Sequence, residues 1–270
     1  MTTSPLAGAP LSSLLDGKVV VVSGVGPGLG RSIAIRCALA GADVVLAART
    51  EARLQDVAGE IGQLGRRAVT VTTDITDEES AARLAEAALS EFGRVDTLVN
   101  NAFAMPPMAN LADADFEKMR ASMETNVLAA LRLTNLFTPA LIASRGSVVM
   151  INSAVLRHSR QPYGAYKMTK SALLSVAQSL ATELGPQGVR VNTVAPGYIW
   201  AETLQAYFSH LARERGVSPQ QVYDETAAGT DLRRLAEPDE IADAVVFLAS
   251  DLARAITGQC LDVNSGEFHH

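Results

Sequence analysis

Short, continuous runs of apolar and β-branched residues recur along this chain and alternate with segments of helical periodicity. The runs that have the length of strands are Val19–Ser23, Val44–Ala48, Ala68–Thr72, Thr97–Asn100, Ser147–Asn152, Arg190–Val194 and Cys260–Val263. Continuous rather than alternating apolar runs are typical of strands that are covered on both faces of a parallel sheet. The helical segments between them are Gly30–Ala40, Ala52–Leu64, Glu78–Phe92, Phe116–Phe137, Tyr166–Leu184 and Pro238–Ala249. The alternation predicts an α/β fold, a doubly wound sheet of about seven parallel strands with helices on both faces.

The chain has 270 residues, of which 48% are hydrophobic, and this is ample for one packed core. Because no low-complexity tract, charge block or internal repeat divides it, we predict a single domain over residues 16–270. Residues 1–15 are predicted to be a flexible leader, since prolines and a glycine interrupt the apolar segment that a signal peptide would need. An insertion at about residues 198–233 is expected to act as a substrate lid.

Charge and cysteine content narrow the class of partner. The formal net charge is −6 and no Lys/Arg cluster occurs, so nothing indicates nucleic acid. No uninterrupted apolar stretch approaches the roughly 18 residues of a membrane span. Cys37 and Cys260 are too few for a disulfide framework, and neither they nor the histidines have metal-ligand spacing. We predict a cytoplasmic protein without a metal, whose partner is a small molecule.

A glycine-rich loop follows the first predicted strand and leads directly into a helical segment. Gly24, Gly28 and Gly30 fit the pattern G-x-x-x-G-x-G, with Leu29 between the last two. The glycines allow a tight turn and a close approach of backbone N–H groups to a pyrophosphate, and the helix N-terminus adds partial positive charge. The alternative is a merely flexible turn. Because the loop lies in the first βα connection of a parallel sheet, we predict a Rossmann-type dinucleotide site.

The end of the second strand bears on which dinucleotide binds. A carboxylate there binds the ribose of NAD, whereas an Arg accommodates the 2′-phosphate of NADP. Here no acid occupies the strand end and Arg49 follows it, which favours NADP(H) over NAD(H). The alternative is that Arg49 is only a solvated loop residue. Glu51 lies nearby, and Pro27 stands where a second basic residue could have helped.

A Tyr and a Lys four residues apart occur twice, as Tyr163 with Lys167 and as Tyr166 with Lys170. On a helix such residues share a face, with Cβ atoms about 5–6 Å apart. An ammonium group beside a phenol lowers its pKa from about 10, so that the phenol can exchange a proton near neutral pH. The alternative for either pair is two exposed helical side chains.

The helix face separates the two pairs. The face of Tyr166 and Lys170 continues through residues that are apolar, Leu173, Ala177, Leu180 and Leu184. The face of Tyr163 continues through the more polar series Lys167, Ser171, Leu174, Gln178, Ala181 and Gly185. The first face is the one expected to pack inward, where pKa values are shifted most. Pro162 also places Tyr163 at the helix entrance, so we interpret Tyr163 as a wall of the substrate pocket.

With these residues assembled, the chain resembles the short-chain dehydrogenase/reductase family from about Gly17 to Gly266. The motifs that agree in order and spacing are Ser23-Gly24 through Gly30, Asp74-Ile75, Asn100-Asn101-Ala102, Asn126, Ser153, Tyr166 with Lys170, Pro196-Gly197 and Ile256-Thr257-Gly258 with Val263. The resemblance implies an NAD(P)(H)-dependent oxidoreductase that interconverts a secondary alcohol and a ketone by hydride transfer. It also implies a homo-oligomer, most commonly a tetramer.

The resemblance further implies catalytic roles for four residues. Tyr166 would be the acid/base, and Ser153 would hydrogen-bond the substrate oxygen. Lys170 would stabilise the phenolate and hold the nicotinamide ribose. Asn126 would position a water that links Lys170 to solvent.

The cofactor-binding residues that the resemblance implies follow other strands. Asp74 and Ile75 would border the adenine, and Asn101 and Ala102 would line the cofactor. Ile199 would meet the nicotinamide carboxamide. They would act together with the glycine-rich loop and Arg49.

Three positions depart from the family pattern. Phe103 stands where the family usually has Gly, which makes that wall of the site bulkier. Ala201 stands where many members have a cofactor-binding Thr, and the nearest Thr is Thr203. The sequence Val263–Gly266 replaces an acidic, double-glycine ending and is expected to alter only a turn near the subunit contact.

Substrate identity is expected to depend on the segments Ala154–Tyr163 and Tyr198–Arg233. The second contains apolar residues that either form a lid for an alicyclic or aromatic ketone or cover the core or a subunit interface: Trp200, Leu204, Tyr207, Phe208 and Tyr223. The segment Met105–Met108 could add another wall.

Two other functions stay open at this point. The basic residues Arg157, His158 and Arg160 could meet an anionic carrier such as thioester-linked phosphopantetheine, which would make the chain a 3-oxoacyl thioester reductase. A non-catalytic dinucleotide-binding redox sensor is the alternative from another class. The C-terminal residues 268–270 could reach a neighbouring subunit.

Overall fold

A computed structural model of the chain describes residues 13–269 and has a single parallel sheet at its centre. The strands are β1 (Val19–Ser23), β2 (Asp43–Ala48), β3 (Ala68–Thr72), β4 (Thr97–Asn100), β5 (Ser147–Ile151), β6 (Arg190–Pro196) and β7 (Cys260–Val263). Their order in the sheet is β3-β2-β1-β4-β5-β6-β7, and every neighbouring pair is parallel. This confirms the predicted doubly wound sheet. Strand order reverses between β1 and β4, and a sheet of this kind binds its ligand in the crevice at that point.

Helices cover both faces of the sheet. Within residues 13–269 they are α1 (Leu29–Leu39), α2 (Glu51–Gln63), α3 (Glu78–Phe92), α4 (Phe116–Met123), α5 (Ala129–Ser144), α6 (Gly164–Leu184), α7 (Glu202–Arg215), α8 (Pro219–Ala227) and α9 (Pro238–Ala249). Helices α1, α2 and α9 contribute to one apolar core, and α3, α5 and α6 contribute to the other. The strands explain this division, because alternate residues of a strand point to opposite faces. Val20 and Val22 lie in the first core and Val19 and Val21 in the second.

The segment predicted as one helix from Phe116 to Phe137 is interrupted and longer. A π-helical turn, Glu124–Leu128, separates α4 from α5, and α5 continues to Ser144 with Pro139 inside it. The run Phe116–Ser144 is long and apolar enough, by length and composition alone, to cross a membrane. Its apolar residues Leu133 and Phe137 are buried against the sheet.

The domain begins earlier in the chain than the sequence predicts. Leu15, which we assigned to the flexible leader, is fully buried in the first core, and its N–H donates a hydrogen bond to the Ala40 carbonyl at 2.8 Å. The leader prediction is therefore wrong at its C-terminal end. Residues 1–12 lie outside the described residues.

The predicted lid insertion contains α7 and α8, which have a small apolar core of their own. Phe208 and Val222 are buried in it, at 2% exposure each. The Trp200 ring centroid lies 4.6 Å from that of Tyr223 and 5.6 Å from that of Phe208. Of the two interpretations, the structure therefore favours core-covering aromatic residues over an open apolar lid. Tyr207 is the exception and is 52% exposed.

Candidate active site

The predicted site residues meet at one edge of the sheet because they follow the carboxyl ends of parallel strands. Gly24 follows β1 and Arg49 follows β2. Asp74 follows β3 and Asn101 follows β4. Ser153 follows β5 and Ile199 follows β6. Residues far apart in the sequence thereby surround the crevice between β1 and β4.

The glycine-rich loop packs tightly against the end of β4. Gly24 has a φ of +85°, and a Cβ on it would lie 2.5 Å from the Cα of Ala102. A Cβ on Gly30 would lie 2.2 Å from the Gly24 carbonyl oxygen, to which the Asn101 side-chain amide donates a hydrogen bond at 2.7 Å. Only glycine fits at these two positions. Asn101 and Ala102 thus support the loop.

The loop ends at the N-terminus of α1. Gly28 is the N-cap residue, and within residues 13–269 no side chain caps the helix. A Cβ on Gly28 would meet only the Ala201 side chain, at 3.4 Å, so the loop after β6 lies across from Leu29 and the first helical turn. Backbone N–H groups at a helix N-terminus bind phosphate oxygens well. This part of the structure fits a dinucleotide pyrophosphate.

Arg49 and Asp74 lie side by side at the ends of β2 and β3. Asp74 accepts hydrogen bonds from the Thr76 hydroxyl at 2.7 Å and from the Thr76 N–H at 2.9 Å. These bonds, and to a smaller extent the positive charge of Arg49, lower the pKa of Asp74. Arg49 is exposed and has no ion pair among the described residues, while Ile75 is buried. The Arg49 guanidinium therefore faces solvent at the strand ends.

Ser153 and Tyr166 lie near each other, one after the end of β5 and the other at the start of α6. Ser153 follows β5 and also accepts a hydrogen bond from the Val155 N–H at 3.2 Å, and Tyr166 lies in the first turn of α6. Burial raises the pKa of Tyr166, and the nearby Ser153 hydroxyl offsets part of that rise. The pKa of Tyr166 is therefore raised in this structure and not lowered as expected, because burial has the largest effect on it.

Lys170 is buried next to Tyr166. Its ammonium lies 5.8 Å from the Tyr166 ring centroid and donates a hydrogen bond to the Ile151 carbonyl at 2.8 Å. Burial lowers the pKa of Lys170 to about 8. The Asn152 side chain donates a hydrogen bond to the Lys170 carbonyl at 3.1 Å, a contact that the sequence analysis missed. The sequence signal for this contact was a polar residue, Asn152, in an otherwise apolar predicted strand.

The face of α6 that carries Tyr166 and Lys170 packs inward as predicted, with Leu173, Ala177, Leu180 and Leu184 buried. The other Lys behaves differently. The Lys167 ammonium donates hydrogen bonds to the His158 carbonyl at 2.7 Å and to the Ser159 hydroxyl at 2.9 Å. Lys167 is thus held by the preceding loop, which supports the choice of the inner pair.

Tyr163 precedes α6 as its N-cap residue. It lines a cavity of about 450 Å³ together with Leu111, Lys167 and Met168, but Ser153, Tyr166 and Lys170 do not line that cavity. Burial raises the pKa of Tyr198 to about 12, and the nearby Tyr163 adds to that rise. Tyr163 as a wall of the substrate pocket stays a prediction.

Asn126 lies in the π-helical turn between α4 and α5 and is 2% exposed. Its side chain accepts a hydrogen bond from the Ala104 N–H at 2.7 Å and donates one to the Ala104 carbonyl at 2.8 Å. A second donor contact reaches the Thr169 hydroxyl at 3.4 Å. Asn126 therefore fixes the backbone that follows Phe103. Its role in positioning a water stays a prediction.

Ile199 and the basic loop are placed by contacts with distant segments. Ile199 forms a parallel backbone bridge with Ala236 and packs against the first core. Arg157 forms a bidentate ion pair with Asp262, with a shortest distance of 2.9 Å. Asp262 belongs to β7, so this contact spans much of the chain.

Arg160 contacts the C-terminal segment. Its guanidinium lies 3.1 Å from a Glu267 carboxylate oxygen and 4.9 Å from the Phe268 ring centroid. The His158 ring centroid lies 5.3 Å from the same Phe268 ring. The three basic residues thus contact their own chain, contrary to the anionic-carrier interpretation. Phe268 likewise contacts its own chain, and His270 lies outside the described residues.

Similar proteins were found by sequence and by structure. The sequence model of the family described as enoyl-(acyl carrier protein) reductase matches residues 24–267. The 7α-hydroxysteroid dehydrogenase of Escherichia coli is 34% identical over 254 residues, which cover 93% of this chain and 94% of that protein.

Two solved structures are similar over nearly their whole length. A 7α-hydroxysteroid dehydrogenase complexed with NADH and 7-oxo glycochenodeoxycholic acid has a TM-score of 0.84 and 32% identity, and the match covers 95% of this chain and 96% of that one. L-sorbose reductase from Gluconobacter frateurii, complexed with NADPH and L-sorbose, has a TM-score of 0.88 and 30% identity, covering 97% of this chain and 100% of that one.

Proposed function

This chain belongs to the short-chain dehydrogenase/reductase family, and on that basis we propose how its residues carry out the reaction. It is an NAD(P)-dependent oxidoreductase that interconverts a secondary alcohol and a ketone. The observation that carries the residue-level proposal is the placement of Lys170, whose ammonium lies 5.8 Å from the Tyr166 ring centroid and donates a hydrogen bond to the Ile151 carbonyl at the end of β5.

The nicotinamide, when bound, supplies the hydride that moves to or from the carbon bearing the oxygen. In the direction of reduction, Tyr166 donates its proton to the ketone oxygen and becomes a phenolate. Ser153 donates a hydrogen bond to the same oxygen and stabilises its developing negative charge. The Lys170 ammonium stabilises the phenolate, which regains a proton from solvent. Oxidation runs through the same groups in reverse, with Tyr166 accepting the hydroxyl proton.

NADP(H) is the proposed dinucleotide. The support is the exposed Arg49 at the end of β2, where a guanidinium can bind a 2′-phosphate through two parallel hydrogen bonds. Gly24, Gly28, Leu29 and Gly30 would hold the pyrophosphate. The adenine would lie beside Asp74 and Ile75, and the nicotinamide end beside Ile199 and Lys170.

The proposed substrate is an alcohol or ketone that is not tethered to an acyl carrier. Arg157 and Arg160, the cations that an anionic carrier would use, are engaged by Asp262 and Glu267. The named relatives above act on a hydroxysteroid and a sugar.

A cytoplasmic location and a homotetramer are part of the proposal. Cys37 and Cys260 are free thiols, as is usual in a reducing compartment. The side chains of Leu111, Phe116 and Leu128 are apolar and between 47% and 66% exposed, and a subunit contact would cover them. Analytical ultracentrifugation of the full chain tests the assembly.

The activity is tested with purified protein, NADPH and a panel of ketones, followed by the loss of nicotinamide absorbance. Turnover of free ketones that is lost in Tyr166→Phe supports the proposal. Turnover of acyl thioesters alone would favour the thioester reductase. NADPH binding with no turnover across the panel would favour the redox sensor.

A further inference from the structure

The Phe103 side chain is exposed at a place where the surrounding backbone is tightly held. It is 54% exposed and lies in the loop between β4 and α4. Single exposed apolar residues are common on protein surfaces and need no explanation by themselves. Phe103 differs from such residues because the backbone on both sides of it is held in place, and because its ring lies near the Lys170 ammonium.

The backbone is held on both sides of Phe103. On one side, Ala102 packs so closely on Gly24 that a Cβ there would lie 2.5 Å from the Ala102 Cα. On the other side, the buried Asn126 side chain binds both the N–H and the carbonyl of Ala104, at 2.7 and 2.8 Å. The exposure of the ring therefore does not arise from a loose loop.

The ring faces the proton-transfer group. Its centroid lies 5.7 Å from the Lys170 ammonium, which lies 5.8 Å from the Tyr166 ring centroid. The rings of Phe103 and Tyr166 therefore both lie near the same ammonium; the Tyr166 ring carries the proposed acid/base and the Phe103 ring carries no polar atom.

We propose that Phe103 determines substrate specificity by packing its exposed ring face against an alicyclic or aromatic ketone, or the corresponding alcohol, held by Tyr166 and Ser153. This rests on the proposed ketone/alcohol function. A phenylalanine ring offers no hydrogen bond, so a polyol covering it would leave hydroxyl groups without partners, which is unfavourable. The Phe103 ring therefore favours substrates with apolar rings over sugars.

The expected size of the effect follows from the exposed half of the side chain. Covering roughly half of a phenylalanine corresponds to about 10- to 50-fold in kcat/KM. A small ketone that does not reach the ring should lose far less when the ring is removed.

The test compares Phe103→Ala and Phe103→Leu with wild type, with NADPH as cofactor and 2-decalone or butan-2-one as substrate. Leu252→Ala is the matched control, since Leu252 is apolar and 59% exposed but precedes β7, at the opposite edge of the sheet from the carboxyl ends of the strands. Thermal melts establish that each variant is folded, and fluorescence titration gives the Kd for NADPH.

We expect Phe103→Ala to lower kcat/KM for 2-decalone by about tenfold or more. We expect kcat/KM for butan-2-one and the Kd for NADPH to change by less than about threefold. Phe103→Leu should keep most of the preference for 2-decalone, and Leu252→Ala should keep all of it. An equal loss for both ketones would overturn the proposal, because the ring would then act in general catalysis. Weaker NADPH binding with an unchanged ratio of the two ketones would also overturn it.

Calorimetric binding of 2-decalone to the NADPH-bound protein separates this inference from the proposed function. If wild type binds 2-decalone without reducing it and Phe103→Ala binds it at least tenfold more weakly, Phe103 has its proposed role and the proposed function fails. Equal binding by wild type and Phe103→Ala overturns the role of Phe103 alone. No binding by wild type overturns the apolar-ring specificity itself.

Discussion

The ammonium of Lys170 donates a hydrogen bond to the backbone carbonyl of Ile151, 2.8 Å away, and so joins the start of helix α6 to the end of strand β5. Because Lys170 is only 3% exposed, the fold must desolvate a charge that the proposed proton transfer uses. Stability and activity are thereby opposed at one side chain.

Replacing Lys170 by Met should reduce the pH dependence of the free energy of unfolding. The pKa of Lys170 is lowered from 10.5 to about 8 in the folded state, so between these pH values the unfolded chain binds more protons than the folded one. Stability of the wild type should therefore rise with pH across this range, and that of Lys170→Met should rise less. Urea unfolding of both proteins at pH 7 and pH 9.5 measures the difference, and parallel profiles would count against a buried ammonium. Turnover should be lost in the variant at both pH values.

Tyr166→Phe should abolish proton exchange while leaving the ring in place. We expect kcat to fall by about 10²- to 10⁴-fold, with the Kd for NADPH nearly unchanged. Tyr163→Phe is the matched control, because Tyr163 is three residues earlier and should keep most of the activity. Steady-state kinetics of the two variants decide between the tyrosines, and the reverse pattern would assign the acid/base role to Tyr163.

Arg49→Ala should weaken NADPH binding more than NADH binding. Loss of a charge-assisted contact to a 2′-phosphate is worth about tenfold or more in Kd, whereas NADH lacks that phosphate. Fluorescence titration with both dinucleotides measures the ratio. An equal change for NADPH and NADH would mean that Arg49 does not read the 2′ position.

Asn126→Ala should loosen the loop that carries Phe103. Two hydrogen bonds to the Ala104 backbone are removed, and the free energy of unfolding should fall by about 2 kcal/mol. Amide hydrogen exchange at residues 103–108 should become faster. Thr125→Ala is the control in the same helical turn, since the Thr125 hydroxyl bonds only to the Ala121 carbonyl among the described residues. Unchanged exchange in Asn126→Ala would show that other contacts hold the loop.

Gly24→Ala and Gly26→Ala should behave differently although both lie in the same loop. At Gly24 the φ of +85° and the approach of Ala102 leave no room for a Cβ, whereas nothing lies within 4 Å of a Cβ on Gly26. We expect Gly24→Ala to lower the free energy of unfolding by about 2 kcal/mol or more and Gly26→Ala by less than about 1 kcal/mol. Chemical denaturation measures both values. Similar losses would mean that loop flexibility, rather than close packing, explains the glycines.

Much of the fold could be predicted because strands and helices depend on the pattern of residues that are close together in the sequence. The continuous apolar runs predicted the strands, and six of the seven strands begin within one residue of the predicted start and end within one residue of the predicted end. β6 continues two residues further, to Pro196. The apolar residues on the helix face of Tyr166 and Lys170 likewise predicted which face of α6 is buried.

What could not be predicted depends on contacts between distant segments. Arg157 pairs with Asp262 and Arg160 with Glu267, each more than 100 residues away, and no local pattern reveals such partners. The aromatic residues of α7 and α8 have the same composition whether they form a lid or a core, and only their mutual packing distinguishes the two.

By itself the sequence determined the parallel sheet, the tight glycine-rich loop and the buried face of α6, because these follow from periodicity and from the steric freedom of glycine. Only the tertiary structure decided the direction of the Tyr166 pKa shift, the partners of the basic loop and the position of Phe103 beside Lys170. These depend on burial and on the distances between groups, which the fold creates when it joins separate strand ends at one edge of the sheet.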